Sequence, residues 1–167
     1  MCGRLTKLVH LAIFLLSTVP VLAATTSVSL HDTEYGTYHL DGELGHGLHT
    51  RFLLDTGSAY VVLSEASTRR LLEQHVLTPL RKMRAVLANH SSVRAQVYRL
   101  ESLVLGGGCV VRNLEVVAMP GADRDILGLS ALTAVAPFTV HLAPSRLDLS
   151  CAPPALSAGQ NLPAGGA

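Results

Sequence analysis

Apolar and polar positions in this chain alternate in short runs, and Gly, Pro, Asn or Ser break the pattern roughly every ten residues. "SVSLHDTEYGTYHL" (27–40) is rich in β-branched and aromatic residues and predicts strand. "DGELGHG" (41–47) reads as a turn, and "LHTRFLLD" (48–55) alternates before becoming fully apolar. "AYVVLS" (59–64) predicts a further buried strand. Ser64 is placed to cap a short helix over "EASTRRLLEQH", with Leu71 and Leu72 facing inward and Arg69 and Arg70 on a solvated face. "MRAVLANHSSVRAQVYRL" (83–100) predicts two strands around a turn at Asn89, His90, Ser91 and Ser92. "ESLVLGGGCVVRNLEVVAM" (101–119) predicts another hairpin with glycines at its bend. "PGADRD" is a loop, "ILGLSALTAV" starts as a buried strand and turns helical, and "FTVHLAPSRLDLS" closes the series as a hairpin. Many short strands with one or two short helices predict a mainly β domain closed as a barrel.

Composition narrows this picture. The chain has 167 residues, 49% hydrophobic and only 4% aromatic with no Trp, so its core must be aliphatic. Lys and Arg number 13 against 12 Asp and Glu, a balance that gives no basic surface and argues against nucleic acid as a partner.

The N-terminus differs from the rest. Arg4 and Lys7 precede the apolar run "LVHLAIFLLSTVPVLAA", and Val21-Leu22-Ala23 has the small-x-small form of a cleavage site. Residues 1–23 are therefore expected to be a secretory signal peptide, and the mature domain to span 24–151 in the periplasm or outside the cell. The alternative is an uncleaved anchor over residues 8–24, which would place the chain on the inner membrane. Residues 152–167 are rich in Pro, Gly and Ala and read as a disordered tail. In an oxidising compartment the two cysteines of the mature chain, Cys109 and Cys151, can form a disulfide; two unbridged thiols are the other reading.

The segment "FLLDTGSAYVVLS" holds the candidate chemistry. Asp55 sits between two apolar runs, Gly57 permits a tight turn, and Thr56 and Ser58 set hydroxyls beside the carboxylate. On residue chemistry alone Asp55 is either a carboxylate held at the floor of a cleft or the cap of an Asx-type turn. "LLDTGS" between apolar strands resembles the active-site motif of aspartic proteases. "DILGLSAL", with Ile126-Leu127-Gly128, is similar to that family's second signature. One such pair in a chain of this length resembles the single-lobe retropepsin-like proteases of bacteria, over about residues 35 to 150.

That resemblance implies the acid-protease barrel and an aspartic endopeptidase. Two carboxylates would share one proton, one activating water and the other hydrogen-bonding the scissile carbonyl; aspartic proteases are a standard example of such coupled titration. The chain carries one D-T-G. Asp41 is read in a turn, Asp123 and Asp125 in a loop and Asp148 on an outward face, so the dyad is expected from a homodimer, Asp55 opposite Asp55. Thr56 would bond across that interface, Ser58 would bond the outer carboxylate oxygen, and "VLANHSSVRAQV" would be a flap over a peptide or protein substrate. The flap tip lacks the glycines common in such enzymes, and Leu129 stands where retroviral relatives carry a charge.

No metal or cofactor is implied. His39, His46 and His49 read as surface histidines near a turn. "LGGGCV" lacks the helix and Lys of a phosphate loop, and no motif supplies a base for Ser58 as a nucleophile. A membrane partner is expected only for the uncleaved chain. Two rival functions remain: a peptide-binding or assembly module of the cell envelope that keeps the fold without cleaving, and an envelope protein in which Asp55 only caps a turn.

Overall fold

The computed structural model describes residues 24–33 and 35–151. The expected signal peptide and the Pro/Gly/Ala-rich tail lie outside the described residues. Eleven strands run in chain order: β1 (Ala24–Ser29), β2 (His31–Asp32), β3 (Tyr38–Leu44), β4 (Leu48–Leu54), β5 (Val61–Leu63), β6 (Leu77–Val86), β7 (Ser92–Leu105), β8 (Cys109–Ala118), β9 (Asp125–Leu127), β10 (Phe138–Leu142) and β11 (Ser145–Cys151). Helix α1 (Glu65–Glu73) follows β5, and α2 (Leu129–Leu132) runs into a 3-10 turn at Thr133–Val135. Among the described residues no helix is long and apolar enough to cross a membrane.

The larger sheet has the order β2-β3-β4-β9-β5-β8-β7-β6, and a further pairing of β3 with β7 closes six of these strands into a barrel. Closure brings strands close at Gly42, which pairs with Thr50 on β4 and with Leu105 on β7. A Cβ there would stand 2.9 Å from the Phe52 ring and 3.1 Å from the Val104 carbonyl oxygen. The barrel is filled by aliphatic side chains, Leu40, Leu44, Leu63, Leu100, Leu103 and Leu127 among them, around the buried ring of Phe52. This mainly β barrel with two short helices is the architecture expected from the strand pattern.

A second sheet, β1-β11-β10, packs on the barrel. Leu147 and Leu149 of β11 are fully buried beneath it. A disulfide joins Cys151 at the end of β11 to Cys109 at the start of β8, with Cα atoms 5.4 Å apart. It closes a loop of 42 residues, which in the chain-entropy account contributes about 4 kcal/mol.

Four local expectations change. "DGELGHG" is not all turn: Asp41 to Leu44 continue β3, and the bend is confined to Gly45-His46-Gly47, where both glycines have positive φ. The strand before the Gly106–Gly108 bend and the one after the Asn89 turn are a single 14-residue strand, β7, which serves both hairpins. On α1 only Leu71 is buried; Leu72 is 41% exposed, because one residue rotates the helix by about 100° and carries it off the core stripe. Asp125 is not a loop residue: it is the first residue of β9 and is 3% exposed.

Candidate active site

The Asp55 loop owes its position to strand order. β9 lies between β4 and β5, parallel to the first and antiparallel to the second, so the β4–β5 connection must pass over the end of β9. That connection is residues 55–60, and the end of β9 is Leu127-Gly128. The two sequence motifs, 70 residues apart, therefore meet. The Asp55 N–H donates to the Leu127 carbonyl (3.1 Å), the Leu129 N–H to that of Ser58 (2.8 Å) and the Ser130 N–H to that of Ala59 (3.0 Å). Ser130 adds a fourth tie, accepting from the Val61 N–H at 3.0 Å and donating to the Glu115 carbonyl at 3.2 Å. Gly128 is buried directly beneath the loop, and a Cβ on it would lie 2.1 Å from the Tyr60 carbonyl oxygen.

Within this clamp Asp55 is half-buried. Its Oδ1 accepts from the Gly57 N–H at 2.8 Å, and the Ser58 N–H donates to its carbonyl at 3.2 Å, so the loop folds around the carboxylate. Oδ2 receives no hydrogen bond among the described residues. Thr56 and Gly57 are exposed. The Ser58 hydroxyl donates to the Tyr60 carbonyl at 2.8 Å and not to the Asp55 carboxylate as the resemblance implies. A hydroxyl has one proton to give, and the loop's own turn takes it.

A recess of about 250 Å3 opens beside the loop. Gly57 and Tyr60 form one side, Met83 and Val86 of β6 another, and Val117 and Met119 the third. The β6–β7 hairpin thus stands against the Asp55 loop with the arm of β6, while its tip stays exposed. At that tip Leu87 and Ser91 are joined by a backbone bond of 2.8 Å. Asn89 Oδ1 accepts from both the Ser91 N–H (3.1 Å) and its hydroxyl (2.6 Å), and His90 has positive φ. Side-chain bonds shape this turn where glycine would otherwise do so, and Ser92 already belongs to β7. At the base of the hairpin Arg81 makes a two-pronged pair with Glu115 at 2.7 and 2.9 Å and reaches the Tyr60 hydroxyl at 3.4 Å. The guanidinium holds the Glu115 carboxyl below its usual range, and Glu115 raises the guanidinium in turn.

Asp125, immediately before Ile126-Leu127-Gly128, is the residue sequence reasoning passed over. Its carboxylate accepts from the Ser64 N–H (2.7 Å), the Ser67 hydroxyl (2.6 Å) and the Thr50 hydroxyl (2.5 Å). It therefore ties β9 to α1 and to β4, directly below the strand end that carries Gly128. An acid abutting an apolar strand was the available signal, but its donors come from far along the chain. Among the described residues no group of three or more His, Cys, Asp or Glu is placed to hold a metal ion. His46 lies against Glu101 at 3.3 Å, and His31 bonds Asp41 at 3.0 Å.

The family described as "gag-polyprotein putative aspartyl protease" matches residues 41–134, a span that holds both motifs. Among solved structures the chain is similar to a retropepsin-like aspartic protease from Rickettsia conorii, with a TM-score of 0.58 and 19% identity over 75% of this chain and 91% of that one. At that identity the likeness speaks for the fold. A comparison with curated proteins finds no match.

Proposed function

This chain belongs to the gag-polyprotein aspartyl proteases, a retropepsin-like family, and from that membership we propose that it is an exported, homodimeric aspartic endopeptidase with Asp55 as its catalytic residue. The observation that carries the reading is the clamped loop. Asp55 is fixed by the Leu127 carbonyl on one side and the Gly57 N–H on the other, in a loop whose residues Gly57 to Tyr60 border a recess. Catalysis by a carboxylate requires this kind of preorganisation, because a side chain held in place loses little freedom on reaching the transition state.

One carboxylate does not complete the chemistry. Asp125 is committed to three donors and Glu115 to Arg81, so neither is free to join Asp55. A second copy of the chain supplies the partner: two Asp55 carboxylates face each other across a two-fold axis and share one proton. The ionised member takes a proton from water as that water attacks the scissile carbonyl. The protonated member gives its proton to the carbonyl oxygen as the tetrahedral diol forms. On collapse the proton taken from water goes to the leaving amine nitrogen as the C–N bond breaks, and a diol hydroxyl returns its proton to the other carboxylate, restoring the dyad. The exposed Thr56 side chains brace the two loops against each other. The β6–β7 hairpin, anchored at Arg81 and free at Asn89–Ser92, acts as the flap that closes over the peptide. Export follows from the leader-like residues 1–23 and suits the disulfide.

The test is peptide cleavage by the mature chain at mildly acidic pH, with solution mass measured on the same sample. A dimer that cleaves, and an Asp55→Asn variant that stays folded while its rate falls by at least about a thousandfold, are the expected results. A folded Asp55→Asn chain that still cleaves would overturn the assignment. A monomer that binds peptides without cutting them would make the domain a binding module.

A further inference from the structure

Charge is distributed unevenly in this nearly neutral chain. Residues 77–100, which form β6 and the first part of β7, contain five of the 13 Lys and Arg and none of the 12 Asp and Glu. Arg81 is paired with Glu115. Lys82, Arg84 and Arg94 are exposed and make no ion pair among the described residues. The register sets Arg84 directly opposite Arg94 and Lys82 opposite Gln96, so the three cations share one face of the hairpin. Like charges directly opposed across two strands lower stability, and an anion between them would remove the penalty.

Beside this cationic face lies a groove of about 610 Å3 between the hairpin, α1 and the end of β8. Lys82, Arg94 and Arg69 line it, and Leu72, Met119 and Pro120 give it an apolar wall. Leu72, the leucine that leaves the α1 core stripe, is exposed here. Two carboxylates also border the groove. Glu65 is occupied by the Gly121 N–H at 2.8 Å, and Glu73 sits at the last turn of α1 without an ion pair among the described residues. The groove neighbours the recess beside the Asp55 loop, and Met119 lines both.

We propose that this groove docks an acidic segment of the protein substrate, with an apolar residue against Leu72 and Met119 and carboxylates against Lys82, Arg84 and Arg94, several residues to one side of the scissile bond. The inference rests on the peptidase reading for its substrate, but the docking itself is separable. The chain would then select proteins in which a cleavable bond is followed or preceded by an acidic stretch. Exposed ion pairs are individually weak and screened by salt, so the selection acts on capture and shows in KM.

The experiment uses two peptides with one cleavable core, extended on either side by Asp, Glu and Leu or by Asn, Gln and Leu. Their kcat/KM values are compared at low and at about 0.5 M salt. The Asp55→Asn chain is tested in parallel for binding of the same labelled peptides and of vesicles containing phosphatidylglycerol. One acidic extension should raise kcat/KM roughly fivefold through KM, fall towards parity in salt, and lose its advantage in Lys82→Gln/Arg94→Gln. A ratio near one in the wild type, a ratio that survives the double substitution, or binding of the vesicles without the acidic peptide would overturn the proposal. If neither peptide is cut but Asp55→Asn binds the acidic one in an Arg94-dependent way, docking stands and the peptidase reading falls.

Discussion

A methyl group on Gly128 would stand 2.1 Å from the Tyr60 carbonyl oxygen and 2.7 Å from that of Ser58. Both are backbone atoms of the Asp55 loop and have no rotamer to escape into. Gly128 has ordinary extended φ, so the requirement is one of space and not of conformation. Gly128→Ala should therefore lift the loop off β9 and destabilise the fold by about 3 kcal/mol, the upper range for overpacking. Thermal unfolding of the variant measures this, and an unchanged midpoint would contradict the clamp. The demand for glycine here is visible in the motif, whereas the atoms that impose it, 68 to 70 residues earlier in the chain, are not.

Helix α1 depends on two polar contacts of unequal weight. The Ser64 hydroxyl accepts from the Ser67 N–H at 3.1 Å as an ordinary N-cap, and Ser64→Ala should cost about 1 kcal/mol. Asp125 receives three donors in a buried setting and links α1 to two strands. Asp125→Asn exchanges one acceptor oxygen for an amide donor facing donors, and should cost about 3 kcal/mol. Urea denaturation of the two variants should place the midpoint for Asp125→Asn well below that for Ser64→Ala; the reverse order would mean that the carboxylate is not what seats the helix. Ser64 was legible as a cap because capping is local. Asp125 was read as a loop residue because burial of a carboxylate depends on partners that other elements bring.

Across the whole molecule, Asp148 joins all three strands of the small sheet. From β11 it accepts from the Ser27 hydroxyl on β1, from His141 on β10 at 2.8 Å and from Arg146 at 3.3 Å. The Ser27 hydroxyl first, then the Arg146 charge and the His141 bond, hold its carboxyl below the usual range. Arg51 and then His31 do the same for Asp41 on β3. A carboxyl depressed on folding stabilises the native state above its unfolded pKa of about 4, and that contribution is lost as pH falls through the lower folded value. Wild type should therefore exceed Asp148→Asn in stability near neutral pH, with the gap closing below about pH 4. A gap that is constant with pH would remove the carboxylate from the account.

The strand pattern, the aliphatic core, the short helix after Ser64 and the two motifs are local properties: alternation, capping and the D-T-G turn each depend on neighbours in sequence, so the sequence by itself determined them. Tertiary structure decided what depends on strand order. Only the insertion of β9 between β4 and β5 brings Gly128 under the Asp55 loop and buries Asp125 against α1. Only the β6–β7 register gathers Lys82, Arg84 and Arg94 onto one face beside Leu72. Pairing between distant strands sets these contacts, and such pairing is fixed by packing the whole barrel and not by any single run of residues.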